Sequence, residues 1–167
     1  MKRIDHPIPP LYDERSRVLI LGSFPSIKSR EAMFFYGHPQ NRFWPMLAAL
    51  TGEPVPERED IDAKKQIILR HGLALWDTLE SCTITGASDA SIKDVVPNDI
   101  AGLLQMAPIE AVFCNGATAY RIYTKYLAPV SGIPAVKLPS TSPANAACRP
   151  ETLRKIWGEA LRPWLVK

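Results

Sequence analysis

A chain of 167 residues suffices for one domain with a sizeable core, and 46% hydrophobic against 22% charged residues excludes a disordered or membrane-embedded chain. The net charge of +3 suits an anionic partner without the Lys/Arg tracts of a dedicated nucleic-acid binder, and the three scattered cysteines match neither a disulfide framework nor a CxxC metal pair. No run approaches the ~18 apolar residues of a membrane span, and the start, Met-Lys-Arg-Ile-Asp-His-Pro, lacks the apolar core of a signal peptide, so a cytoplasmic protein with free thiols and no membrane partner is expected.

Residues 1–16 mix Pro7, Pro9 and Pro10 with charges and read as an extended arm, leaving 17–167 as the single domain. Arg17 to Phe24 contains the apolar run Val18-Leu19-Ile20-Leu21, which predicts a buried strand. After a long loop, Asn41 to Leu50 places Phe43, Trp44, Leu47 and Leu50 on one helical face, ended by Gly52. Glu53 to Asp60 is a surface connection, and Asp60 or Asp62 caps a helix that buries Ile61, Ile67 and Ile68 and stops at Gly72. Leu73 to Trp76 predicts a second buried strand, with Asp77 at its carboxyl end. The polar stretch Thr83 to Asp94 reads as a long loop, followed by a helix over Ile100 to Met106. Ile109 to Cys114 is a third strand closed by Asn115-Gly116, and Ala117 to Leu127 a helix. Ile133 to Leu138 is the fourth strand, and a final helix runs from Pro150 to Leu161. Strands alternating with helices predict an α/β fold, a three-layer α/β/α sandwich on a four-stranded parallel sheet.

In such a sheet ligands bind beyond the carboxyl ends of the strands. Three segments meet there: the loop after the first strand, Asp77, and the Pro139 to Ala146 loop with its prolines and hydroxyl residues. The first supplies small residues (Gly22, Ser23, Ser26), aromatics (Phe34, Phe35, Tyr36) and the amide of Asn41. Taken singly, Asn41 is as readily a helix cap as a catalytic amide, Asp77 as readily caps a turn, and His38 beside Pro39 braces the loop.

Gly22-Ser-Phe-Pro-Ser, Tyr36-Gly-His-Pro-Gln-Asn-Arg-Phe-Trp44, Ala74-Leu-Trp-Asp-Thr78, Val112-Phe-Cys-Asn-Gly116 and Leu138-Pro-Ser-Thr-Ser-Pro-Ala-Asn145 together resemble the uracil-DNA glycosylase superfamily, and within it the hypoxanthine-DNA (deoxyinosine) glycosylase branch. The resemblance implies an enzyme that flips a deaminated base, hypoxanthine or uracil, out of DNA and hydrolyses its N-glycosidic bond. It implies that Asn41 handles the attacking water, since Phe24 occupies the place where many relatives carry a catalytic Asp or Asn. It implies that Tyr36 stacks on the base, that Asp77 stands where the uracil-specific branch has its base-reading Asn, and that Gly22, Ser23, Phe24 and Asn115 complete the base pocket. Ser140, Thr141, Ser142 and Asn145 match the loop that presses on phosphates, with Ser26, Lys28 and Arg42 as further DNA contacts. Arg30, Lys137 and Arg149 lie in or beside the same loops. No metal or organic cofactor is implied, because three scattered cysteines cannot hold the iron-sulfur cluster of some branches. A monomer is expected. Phe24 also keeps open a catalytically weak or inactive nucleic-acid-binding module on the same fold, whereas a serine esterase lacks its G-x-S-x-G elbow.

Overall fold

A computed structural model describes residues 3–85 and 91–166. Four parallel strands, β2 (Val18–Gly22), β3 (Leu73–Asp77), β6 (Ala111–Asn115) and β7 (Ala135–Leu138), form the central sheet in the order β3-β2-β6-β7. Side chains alternate across β2 and divide the core in two. Val18 and Ile20 pack with Phe43, Trp44 and Leu47 of α2 (Phe43–Thr51), Ile67 and Ile68 of α3 (Ile61–Arg70), and Leu153, Trp157 and Leu161 of α7 (Pro150–Leu161). Leu19 and Leu21 pack on the other face with Ile100 and Leu103 of α4 (Ile100–Met106) and with Ala119 of α5 (Ala117–Ile122). This is the expected three-layer sandwich. From β2 the chain moves outward to β3 on one side and later to β6 on the other, so the carboxyl end of β2 is the switch point where a crevice opens.

Local chemistry accounts for most boundaries. Asp60 caps α3 by accepting from the Ala63 N–H at 3.0 Å, and Gly52 ends α2 in the left-handed region at φ 74°. The helix expected to stop at Leu127 continues through a π-helical turn, Tyr123–Leu127, into α6 (Ala128–Ser131). Pro129 offers no N–H and crowds the turn before it, which a widened register relieves.

Two expectations are corrected. The stretch from Thr83 to Asp94 is not simply a loop: β4 (Leu79–Thr83) pairs antiparallel with β5 (Lys93–Pro97), and only the connection at 86–90 lies outside the described residues. Nor are residues 1–16 free of elements. Arg3–Asp5 form β1, which pairs with β4 and completes a second sheet of order β1-β4-β5. Leu11 and Leu75 then exchange two backbone hydrogen bonds of 2.9 Å, and Ile8 is buried, so the arm is fastened alongside β3. Its partners carry the backbone donors and acceptors that a short polar strand needs but does not advertise in sequence. Among the described residues no helix is long and apolar enough to cross a membrane.

Candidate active site

Parallel register aligns the strand ends: Gly22 stands beside Asp77, Leu21 beside Cys114, and Asn115 beside Leu138. Above them lies a cleft of about 770 Å³. Gly22, Ser23, Phe24, Ser26, Tyr36, Asn41, Asp77, Asn115, Ser140, Thr141, Ser142 and Asn145 all line it. Of the basic residues anticipated from sequence, Lys137 lines it and Lys28, Arg30, Arg42 and Arg149 do not.

The floor is built around Asp77, of which only 4% is exposed. Gly22 is required beside it, because a Cβ there would stand 2.4 Å from Asp77 Oδ1 and 3.6 Å from the Tyr36 hydroxyl. Asp77 Oδ2 lies 2.7 Å from Nε2 of His6, a residue of the arm that sequence reasoning passed over. Nothing local pointed to it: the two are 71 positions apart and joined only by the docking of the arm.

Tyr36 sits in the left-handed region at φ 55°, and its ring stacks on Phe43 at 4.1 Å and 22°. One ring face is thus taken by the core, and its hydroxyl is buried with no hydrogen-bond partner at ordinary distance among the described residues. Burial first, and the Asp77 charge second, raise the phenol well above its ordinary range, outweighing an opposing pull from the Asn115 amide. The hydroxyl therefore keeps its proton. Burial likewise pushes the Cys114 thiol, beneath the site, up to about 12.

Asn41 is held by a turn in which its N–H donates to the His38 carbonyl at 3.0 Å, and its Oδ1 accepts from the Phe43 N–H at 2.9 Å. The helix cap itself is Arg42, which makes no side-chain capping bond. Asn41 is half-buried on the cleft wall, and among the described residues its Nδ2 has no hydrogen-bond partner, which leaves a donor for a water or a substrate.

The Ser/Thr/Pro loop is a rigid wall. Asn115 clasps Thr141 twice, donating from Nδ2 to Oγ1 at 2.9 Å and accepting at Oδ1 from the Thr141 N–H at 3.0 Å. Trp157 Nε1 donates to the Pro139 carbonyl at 2.9 Å, and Asn145 Nδ2 to the Ser140 carbonyl at 3.1 Å. Arg42 closes the loop from beneath, its guanidinium donating to the carbonyls of Ser142 at 2.9 Å, Asn145 at 3.0 Å and Cys148. In this structure the guanidinium donors of Arg42 are turned to loop carbonyls, a role its sequence position does not reveal. Thr141 is fully buried, with its Oγ1 engaged by Asn115. Lys28 is exposed on α1 (Ile27–Ala32), where it pairs with Glu31 at 3.5 Å. Lys137 is the basic side chain on the cleft lining, and it also lies 5.9 Å over the Tyr120 ring. Phe24, 8% exposed, has the Arg30 guanidinium 5.7 Å over its ring and offers no polar group. No group of three or more His, Cys, Asp or Glu side chains converges on a metal position among the described residues.

An open parallel sheet whose switch-point cleft has a carboxylate floor, aromatic walls and an amide on its lining has the chemistry to take a flat ring that donates hydrogen bonds. The family description "Uracil DNA glycosylase superfamily" matches residues 9–161. The chain is 33% identical over 139 residues to a hypoxanthine DNA glycosylase of Methanosarcina acetivorans, covering 82% of this chain and 85% of that one. It is 35% identical over 109 residues to a hypoxanthine DNA glycosylase of Methanosarcina barkeri, covering 65% and 68% respectively. The solution NMR structure of a candidate uracil DNA glycosylase from M. acetivorans superposes with a TM-score of 0.74 at 30% identity, over 91% of this chain and 95% of that one. The chain belongs to the uracil DNA glycosylase superfamily.

Proposed function

We propose that the protein is a monofunctional DNA glycosylase that removes deaminated bases, hypoxanthine foremost, and leaves an abasic site. The observation that carries the reading is the Asp77 carboxylate at the floor of the switch-point cleft, in a chain similar to two hypoxanthine DNA glycosylases. A carboxylate accepts hydrogen bonds and donates none, so it suits the N1–H of hypoxanthine or the N3–H of uracil. Backbone N–H groups of the loop after β2 are the proposed donors to the neighbouring carbonyl oxygen.

Breaking the N-glycosidic bond builds positive charge on the deoxyribose and negative charge on the departing base. Asn41, fixed by the Phe43 N–H, holds a water for C1′, so that capture of the cation needs no covalent enzyme intermediate. The base must first leave the stack, which costs a few kcal/mol and least at a mispair such as inosine opposite thymine. Tyr36 presents its free ring face to the flipped base, while Lys28, Lys137 and the Ser140–Asn145 wall meet the DNA backbone. Cys82, Cys114 and Cys148 form no disulfide among the described residues, which supports a reducing, cytoplasmic setting.

The test is incubation with duplexes containing inosine, uracil or xanthine, followed by alkali to cleave at abasic sites. Alkali-dependent breaks at inosine, without breaks before alkali, are expected. Absence of breaks at every deaminated base would refute the reading, and a borohydride-trapped protein–DNA adduct would refute the monofunctional mechanism.

A further inference from the structure

His6 lies outside the span matched to the family, in a segment whose sequence suggested only a tether. Its placement is nonetheless closely determined. Its backbone N–H donates to the Glu80 carbonyl at 2.7 Å, and its ring meets Phe24 edge-on at 5.8 Å and Phe35 at 6.5 Å. The side chain is 2% exposed. Nδ1 accepts from the Ile8 N–H at 3.2 Å, and a ring nitrogen that accepts carries no proton. The proton of the neutral imidazole therefore sits on Nε2, which faces Asp77 Oδ2 at 2.7 Å.

We propose that His6 is the positioning residue of the base reader: by donating Nε2–H to Oδ2 it fixes the Asp77 carboxylate, leaving Oδ1 as a bare acceptor at the cleft floor beside Gly22. This rests on Asp77 contacting the base. The chemistry then divides bases by what their ring nitrogen presents. Hypoxanthine N1 and uracil N3 bear a proton that Oδ1 accepts, whereas adenine N1 and cytosine N3 present a lone pair to a carboxylate that cannot rotate away or take up a donor role. A fixed acceptor thus favours the deaminated products over their parents. Two hydrogen bonds secure the device, one from Ile8 that sets the tautomer and one to Asp77 that transmits it. Phe24 packs near-perpendicular to the imidazole at 5.8 Å and helps to seat it.

The test combines a spectrum with kinetics. A long-range ¹⁵N–¹H correlation spectrum of the full chain should show one neutral histidine protonated on Nε2 that disappears in His6→Gln; an Nδ1-protonated His6 would overturn the proposal. Single-turnover excision of hypoxanthine is then compared in the wild type, His6→Phe, His6→Gln, Asp77→Ala and the double variant His6→Phe/Asp77→Ala. His6→Phe keeps a packed ring without the donor and should slow excision roughly tenfold to a hundredfold, the scale of losing one hydrogen bond to a charged group, with duplex affinity within about twofold. His6→Gln, whose amide can donate to Oδ2, should recover most of the rate. The double variant should be no slower than Asp77→Ala alone, because His6 acts only through that carboxylate. Additive losses, or a His6→Gln as slow as His6→Phe, would overturn the proposal, with thermal unfolding recorded to separate either from loss of fold. If the wild type releases no deaminated base, the proposed function fails instead, and the spectrum still decides the His6 tautomer.

Discussion

Replacing Asn41 by Ala separates catalysis from folding with unusual economy. Among the described residues the side chain makes one hydrogen bond, accepting at Oδ1 from the Phe43 N–H at 2.9 Å, and its loss costs about 1 kcal/mol. A domain that starts with only about 5 kcal/mol of stability remains more than ~99% folded after such a loss. If Asn41 holds the water, its removal should slow single-turnover excision by about 10²- to 10³-fold, equivalent to about 3–4 kcal/mol in the barrier. The two figures cannot be confused: a hundredfold slower enzyme that unfolds within a few degrees of wild type has lost chemistry, not structure. Quenched single-turnover assays on inosine duplexes, with affinity measured separately, give the answer. Excision within threefold of wild type would refute the water assignment and return Asn41 to a structural role in its turn.

Arg42→Met should be a stability variant: stripping the guanidinium from the Ser142, Asn145 and Cys148 carbonyls is expected to cost about 3 kcal/mol, read from urea unfolding, while the salt dependence of DNA binding keeps its slope. Lys137→Ala and Lys28→Ala should do the reverse, each reducing the slope of log affinity against log salt by about 0.9 with little change in stability. Tyr36→Phe should fold at least as stably as wild type, since it removes a buried hydroxyl that has no partner among the described residues, and should retain excision because the ring face is kept. Tyr36→Ala should lose about 1–3 kcal/mol of substrate stacking besides its packing on Phe43, and a Tyr36→Phe as slow as Ala would assign the contact to the hydroxyl. Stability should fall as pH rises above 9.0, because Cys114 keeps its proton up to about 12 in the folded state while the unfolded thiol has already lost it. The raised Tyr36 phenol acts in the same sense at higher pH. Denaturation at ~pH 8.5 and ~pH 10.5 should show a decline of up to about 1.4 kcal/mol per unit for the thiol, shallower in Cys114→Ala, and a flat wild-type profile would contradict it.

The sheet was legible because β2, β3 and β6 are largely buried and appear as short apolar runs, Val18 to Leu21 most clearly, while the edge strand β7 exposes Val136 and Lys137. The loops of the site were legible because they follow those runs and because the motifs from Gly22 to Asn145 resemble one superfamily. What escaped is of one kind: partnerships between distant segments made by residues that look ordinary in their own surroundings. Arg42 sits at the head of an amphipathic helix, where a basic residue suggests solvent or phosphate, and only the fold brings the Ser140–Cys148 carbonyls onto it. Arg3–Asp5 is too short and too polar to announce a strand, and gains its pairing from β4. The π-helical turn before Pro129 lies below the resolution of a periodicity argument, which carries no information on a single extra residue.

The fastening of the arm bears on how the molecule comes apart. Residues 3–11 are held by a three-residue strand, the His6 N–H to the Glu80 carbonyl, Arg3 donors to Asp94 and Ser81, two backbone bonds at Leu11, the buried Ile8 and the His6 ring, whereas the central strands of the parallel sheet lie between two layers of helices. Closing a loop of 71 residues carries an entropic cost that contacts within the sandwich do not share, so the arm belongs to the least protected part of the structure. Amide exchange at Ile4 and Ile8 should therefore outpace that at Leu19 and Ile20 by orders of magnitude. If His6 seats Asp77 as proposed, then between the temperature at which the arm peels away and that at which the sheet melts, the protein would keep its circular dichroism while its preference among bases weakens.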